Sequence, residues 1–272
     1  MRDEDGAAIV EAILDARRSG RQIAPPSRRH PDLSLADAYR LTLAIRRARE
    51  AGGERVVGRK IGFTNRTIWQ EYGVHGPVWG YVYDRTLHEL AALNGTFPLA
   101  GLIEPRIEPE IAFHFARAPE PDIDAQTLLD CIDWYAHGFE IVQSLFPDWK
   151  FAAPDTVAAF GLHGALLLGG RIRPAAAHRH ELARQFEGFE IDLSRNGEQV
   201  DHGRAANVLD GPLHALGALL RLLRSDPHNP PLAAGEIVTT GTLTRAFPVR
   251  PGETWSTRLH DIEVEGISVR FR

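Results

Sequence analysis

Cysteine is almost absent from this chain: Cys131 is the only one in 272 residues, which excludes an intrachain disulfide and a cluster of thiolate metal ligands. Within Leu128-Leu129-Asp130-Cys131-Ile132 it reads as a buried helical thiol. Long apolar runs are also missing, and no stretch approaches the roughly 18 to 20 residues of a membrane span. The acidic start Met1-Arg2-Asp3-Glu4-Asp5 has no apolar core of a secretory leader, so a cytoplasmic location is expected. An excess of positive charge is lacking too: the net charge is −5, which leaves no field to attract nucleic acid or anionic lipid. Lysine is scarcest relative to its usual share. Of 31 Lys plus Arg only Lys60 and Lys150 are lysine. Where arginine otherwise meets the need for positive charge, a lysine marks a place where a compact ammonium that can change protonation is wanted.

What remains is an ordinary globular composition, with 43% hydrophobic and 25% charged residues and neither repeats nor low-complexity tracts. The length suits one large domain with a substantial core. Ile9, Val10, Ile13 and Leu14 predict a first helix, and Ser34-Leu35-Ala36-Asp37 resembles a capping box opening a second that runs to about Ala51-Gly52-Gly53. From Val56 onward short β-rich runs take over: Val56 to Phe63, Val78 to Tyr83, Ile107 to Phe115, Gly138 to Gln143, Leu162 to Leu168, Phe189 to Ser194 and Ile237 to Thr240. Arg195-Asn196-Gly197 carries a hairpin signal, and Asp261 to Glu265 with Ile267 to Phe271 reads as a pair turning at Gly266. Helices are predicted near Asn65 to Tyr72, Ala125 to Asp133 and Gly211 to Leu223, the last with a core-facing leucine stripe. The expected organisation is an N-terminal helical segment with the first strand, residues 1–75, and a strand-rich core, residues 76–272, forming one compact α/β (α+β) unit.

The run Arg106-Ile107-Glu108-Pro109-Glu110-Ile111-Ala112-Phe113-His114-Phe115 has the period of a strand. It puts Ile107, Pro109, Ile111, Phe113 and Phe115 on one face and both acids on the other. Same-face neighbours on a strand are about 6.5 to 7 Å apart, so two carboxylates there repel unless a cation or shared proton sits between them. Hard oxygen donors at that spacing suit Mg²⁺ or Mn²⁺. A solvated face with Arg106 as counter-charge would produce the same pattern.

A third acid, Glu140, occurs in Gly138-Phe139-Glu140-Ile141-Val142. The succession Gly58-Arg59-Lys60-Ile61-Gly62-Phe63-Thr64, Ile107-Glu108-Pro109-Glu110-Ile111-Ala112-Phe113, Phe139-Glu140-Ile141-Val142 and Thr239-Thr240-Gly241-Thr242-Leu243 resembles the fumarylacetoacetate hydrolase superfamily, and within it the 2-keto-4-pentenoate hydratase and 4-oxalocrotonate decarboxylase branch. The resemblance implies that family's mixed β-sandwich or roll core, a homo-oligomer able to associate with a related decarboxylase or hydratase, and one divalent metal held by Glu108, Glu110 and Glu140. An octahedral Mg²⁺ so held keeps positions for a ligand with two oxygens. A 2-oxo acid offers its carboxylate and keto oxygens as a five-membered chelate, next to the charge of an enolate. Hydration of a 2-hydroxydienoic acid such as 2-hydroxypenta-2,4-dienoate is the leading expectation. Decarboxylation of an oxo-enedioate, carbon–carbon hydrolysis of an acylpyruvate and a non-catalytic metal-stabilised subunit are the alternatives.

Lys60, between Gly58 and Gly62 on one strand face, is expected to pair with a substrate carboxylate or relay a proton if its pKa falls far enough. Thr240, Gly241 and Thr242 offer hydroxyls and an open amide as a carboxylate cradle. His163 is a candidate catalytic group or a packing histidine, while His178 and His180 read as a polar surface loop. Relatives with Asp-Asn after Asp-Thr-Val-Ala differ from this chain, which has Ala159-Phe160. Trp79 and Phe160 are accordingly expected to line an apolar far end of the substrate pocket.

Overall fold

Helices α1 (Asp3–Ser19) and α2 (Leu35–Ala51) open the chain. The start of α2 is set by the foreseen capping box: the Ser34 hydroxyl accepts the Asp37 amide at 3.1 Å, and the Asp37 carboxylate accepts the Ser34 amide. Their apolar stripes, Ile9, Ile13 and Ala16 against Leu41 and Ile45, share a buried cluster with Phe146 and Phe160. The computed structural model describes residues 1–120 and 122–272, with positions 125 and 126 described in backbone only.

Two sheets follow. The strands in chain order are β1 (Val56–Gly62), β2 (Val78–Tyr83), β3 (Leu87–Glu89), β4 (Thr96–Phe97), β5 (Arg106–Phe115), β6 (Ile132–Val142), β7 (His163–Ile172), β8 (Glu190–Arg195), β9 (Glu198–Arg204), β10 (Ile237–Thr239), β11 (Phe247–Pro248), β12 (Thr254–His260) and β13 (Ser268–Phe271). The larger sheet runs β2-β1-β10-β5-β6-β7-β3, with β11 also beside β5, and the smaller runs β4-β13-β12-β8-β9. Ile107, Phe139 and Ile141 from the first sheet meet Leu193, Trp255, Val269 and Phe271 from the second in one buried layer. Further along the same face Phe113 and Phe115 pack under Phe186 and the leucine stripe of helix Pro212–Arg224. The mixed, strand-rich sandwich with an N-terminal helical segment agrees with the expectation, and β1 lies within the large sheet between β2 and β10, so that sheet spans residue 75.

Several local expectations are corrected. The C-terminal partner of β13 is β12, not Asp261 to Glu265; the alternation of β12 is masked because only Trp255 and Leu259 are apolar in it. The helix expected over Ala125 to Asp133 ends as a 3₁₀ turn at Cys131, and Ile132 already begins β6. Cys131 is buried there. His180 lies on a helix, Arg179–Gly188, rather than in a loop. Asn196 and Gly197 both take positive φ, 53° and 85°, at the β8–β9 turn, as an Asn-Gly hairpin requires.

Pro109 shapes the region around the acids. Its carbonyl accepts the Leu243 amide at 2.9 Å, so its edge faces the side of β5 where β10 and β11 lie. Proline has no N–H to give a ladder, and it is here that the neighbouring strand is split: β10 pairs with Ala112 to His114, β11 with Arg106 and Ile107. The chain between them, residues 240–246, departs from the strand path while the Thr240 and Leu243 amides still bond to the Ile111 and Pro109 carbonyls.

Candidate metal centre

The antiparallel register of β5 and β6 sets Glu108 directly opposite Glu140 and Glu110 opposite Gly138. Each of the three glutamates brings a carboxylate oxygen within 4.8 Å of the others. The loop after β10 caps the group: the Gly241 amide donates to Glu110 Oε2 at 2.8 Å. Gly241 has φ +96°, and a Cβ there would lie 1.9 Å from Thr64 Oγ1, so only glycine brings this amide so close.

Lys60 enters from β1, beside Gly80 of β2. Its ammonium nitrogen lies 3.1 Å from Glu140 Oε2 and donates to the Gly161 carbonyl at 3.0 Å. Gly80 permits that contact, because a Cβ on it would strike the Phe160 carbonyl at 2.4 Å and push the 160–161 turn away. On its other oxygen Glu140 meets His163 Nδ1 at 2.7 Å, and His163 Nε2 lies 2.9 Å from the Thr86 hydroxyl.

The charges are severely unbalanced. Burial pushes Glu108 up to about 7, with the Glu140 charge adding to the rise and Lys60 opposing it. Burial, then Glu140 and Glu108, hold Glu110 well above the usual carboxylate range. Glu140 goes the other way: burial would raise it, but Lys60 and the hydrogen bond from His163 outweigh that and lower it. Burial would likewise depress Lys60, yet the three carboxylates around it raise it instead. The expected fall in the Lys60 pKa is therefore absent when only protein charges surround it. Burial lowers His163, while its contact with the Glu140 carboxylate opposes the fall.

One lysine cannot neutralise three carboxylates, and Glu110 Oε1 is buried with no hydrogen-bond partner, a costly state. Both facts are relieved by a divalent cation, and the all-oxygen donor set of Glu108, Glu110 and Glu140 suits Mg²⁺, Mn²⁺ or Ca²⁺.

The cleft over these acids is lined by Lys60, Glu108, Gly241 and Thr242, and beyond them by Thr64, Tyr72, Arg106, Val142, Trp149, Phe151 and Leu162 among others. A wider groove of about 640 Å³ between α1 and α2 is remote from the acids. Of the cradle expected at 240–242, the Gly241 amide is taken by Glu110, the Thr240 hydroxyl by the Ile111 carbonyl and the Thr242 hydroxyl by the Thr244 carbonyl. Among the described residues that line the cleft, the buried hydroxyl without a partner belongs to Thr64, four residues after Lys60, where no spacing rule had marked it.

Trp79 and Phe160 do not line the cleft. Trp79 neighbours Lys60's partner Gly80 on β2 and so faces the opposite side, stacked on Tyr39 at 5.2 Å within the core. Phe160, at φ 62°, turns its ring under Arg17 and into the N-terminal helix cluster. The apolar walls come from Val142, Phe151, Trp149 and Leu162 instead. His163 is likewise behind Glu140, only 1% exposed, and touches one of its carboxylate oxygens.

The family model described as Fumarylacetoacetate (FAA) hydrolase C-terminal matches residues 97–268. A 2-hydroxyhexa-2,4-dienoate hydratase of Comamonas testosteroni is 32% identical over 265 residues, 96% of this chain and 95% of its own. A 4-oxalocrotonate decarboxylase of Pseudomonas sp. (strain CF600) is 30% identical, with 97% and 96% covered. Among solved structures, 4-oxalocrotonate decarboxylase from Pseudomonas putida G7, complexed with magnesium and adipate, agrees at a TM-score of 0.89 and 28% identity over 100% of this chain and 99% of that one. The match reaches from α1 to the final strand, well past the segment that the family model covers, and on that ground the chain belongs to the fumarylacetoacetate hydrolase family.

Proposed function

We propose that this protein is a divalent-metal-dependent lyase of the hydratase kind. Its substrate is a short 2-hydroxydienoic or 2-oxo acid such as 2-hydroxypenta-2,4-dienoate, and Mg²⁺ or Mn²⁺ is its metal. The observation that carries the reading is the convergence of Glu108, Glu110 and Glu140 with Lys60, beneath one cleft that Glu108 and Lys60 line. The hydratase relative at 32% identity supports it.

A cation bound by the three glutamates would polarise a carbonyl oxygen of the substrate as a Lewis acid. Lys60 keeps a positive charge at the same end, fixed by Glu140 and the Gly161 carbonyl, ready to stabilise negative charge developing on the ligand. The Thr64 hydroxyl, buried and unpaired at the cleft wall, gains a partner when a carboxylate oxygen enters. Val142, Phe151 and Leu162 exclude water from the carbon chain. The protein is read as a cytoplasmic homo-oligomer. Decarboxylation of an oxo-enedioate is the second reading, favoured by a cation at the far side of the cleft, Arg106.

Chelator-stripped protein is expected to regain turnover of 2-hydroxypenta-2,4-dienoate on addition of Mg²⁺ or Mn²⁺, followed by loss of the dienol absorbance. Metal-loaded protein that binds oxalate but turns over neither this acid nor an oxo-enedioate would show that the catalytic reading is wrong.

A further inference from the structure

We infer that Asn207 is a positioning residue for the cleft: from outside the site it sets the spacing of two wall segments, one at Thr64 and one at Gly241, on which metal and ligand both depend. This role rests on the metal-centred reading above and belongs to a residue that is not part of the cleft lining.

Asn207 ends the short 3₁₀ turn after β9 and is partly exposed. Its Nδ2 donates to the Leu243 carbonyl at 2.9 Å, and the Leu243 amide donates to the Pro109 carbonyl, also at 2.9 Å. Leu243 is thus pinned between this turn and β5, two residues beyond the amide that reaches Glu110. Gly203 leaves room for the bond, since a Cβ there would lie 2.1 Å from the same Leu243 carbonyl.

The turn holds the second wall as well. Two residues after Asn207, the Leu209 amide donates to the Thr64 carbonyl at 3.1 Å, and Arg66 Nη1 donates to the Asp210 carboxylate at 2.9 and 3.0 Å. The two segments meet at the Thr64 hydroxyl, which would lie only 1.9 Å from a Cβ on Gly241. The turn is stiff enough to act as a brace. Leu209, Asp210 and Gly211 take consecutive positive φ values of 50°, 73° and 147°, a conformation that residues with a side chain keep only where their surroundings enforce it. Gly211 then opens the helix Pro212–Arg224, whose Leu213, Leu216, Leu219 and Leu220 are buried. Because Asn207 is partly exposed, water can replace its hydrogen bond at little cost to the fold. Water cannot replace the spacing.

Calorimetric titrations of the full-length protein with Mg²⁺, and of Mg²⁺-saturated protein with oxalate, separate this role from plain support of the fold when set beside melting curves in chelator. The variants are Asn207→Ala; Asn207→Asp, which keeps the volume but has no N–H to give; Thr64→Val; the double variant of Asn207→Ala with Thr64→Val; and Ser34→Ala, which removes a helix cap outside the cleft. Asn207→Ala should weaken Mg²⁺ binding about 3- to 10-fold, less than the roughly 10- to 100-fold of a group that touches a metal ligand directly. Oxalate affinity should fall about 10-fold, the scale of one hydrogen bond to a charged group, and Asn207→Asp should match both losses. With Thr64 already replaced by valine, Asn207→Ala should cost oxalate less than about twofold, the non-additivity of groups that act through one contact. Ser34→Ala should lower the melting temperature and leave both affinities unchanged. An Asn207→Ala protein that melts lower with unaltered affinities, an Asn207→Asp protein that binds like the parent, or full additivity with Thr64→Val would each overturn the assignment while leaving the metal-centred reading intact. Failure of the Mg²⁺-saturated parent to bind oxalate would defeat that reading and this role with it.

Discussion

Glu108 and Glu140 face each other across neighbouring antiparallel strands, a pairing in which two like charges destabilise a sheet. Their opposition persists because other groups share the charge, and the predictions concern those groups.

Lys60→Met removes the only cation that, among the described residues, forms an ion pair with the three acids. Breaking a buried pair costs about 3 to 5 kcal/mol, so metal-free protein should melt several degrees lower, with much of the loss recovered by Mg²⁺ because the ligands remain. Turnover should fall by about 10²- to 10⁴-fold, the range of a lost acid–base or charge-stabilising group. Thermal melts with and without Mg²⁺, alongside kinetics, check both; unchanged turnover would remove Lys60 from the chemistry.

Glu110→Gln keeps an oxygen for the Gly241 amide while deleting a charge that the fold barely tolerates. Metal-free stability should stay equal or rise. Mg²⁺ affinity should drop by more than about 100-fold, beyond the loss typical of outer-shell partners. Melting with chelator and calorimetric titration give the two numbers.

Acid should favour the metal-free fold. Glu108 sits at about 7 against an ordinary 4.5, and Glu110 is raised in the same sense. Between those values the folded state holds more protons than the unfolded chain, so the stability of metal-free protein falls as pH rises through the window. Metal affinity moves oppositely, increasing with pH as protons cease to compete. Denaturation in chelator across the window, and Mg²⁺ titrations in buffers of different ionisation enthalpy to count released protons, test the sign.

Gly241→Ala should damage the site from outside the acids. The new methyl would overlap the Thr64 hydroxyl, and the residue would be held at φ +96°. Strain of this kind costs about 1 to 3 kcal/mol, and relief by shifting the loop would withdraw the amide from Glu110. Lower melting temperature together with weaker Mg²⁺ binding is expected; a fall in neither would mean the loop is not seated on Glu110.

Features encoded by neighbouring residues were legible in the chain alone. The capping box at Ser34, the Asn-Gly turn and the shared face of Glu108 and Glu110 each depend on local spacing. Glu140 and Lys60 needed the order of motifs along the whole chain, because nothing near either one signals a partner on another strand. Trp79 was misplaced for a physical reason: every residue of Val78–Tyr83 is buried, so alternation carries no clue to which face meets the cleft. Phe160 was misplaced because its left-handed backbone reverses the direction that an extended reading would give it. Thr64, Tyr72 and Trp149 reach the cleft from separate segments, and only folding brings them together.

Because Pro109 interrupts one flank of β5, the stretch 240–246 crosses over the acids instead of continuing the neighbouring strand, held by the Thr240 and Leu243 amides on β5 and by the buried Leu243 side chain. The acids themselves are aligned by β6 on the opposite flank, so substitutions in this crossing reach them through the Gly241 amide on Glu110. Engineering of ligand preference is therefore best begun there and at Arg106, with the glutamates left untouched.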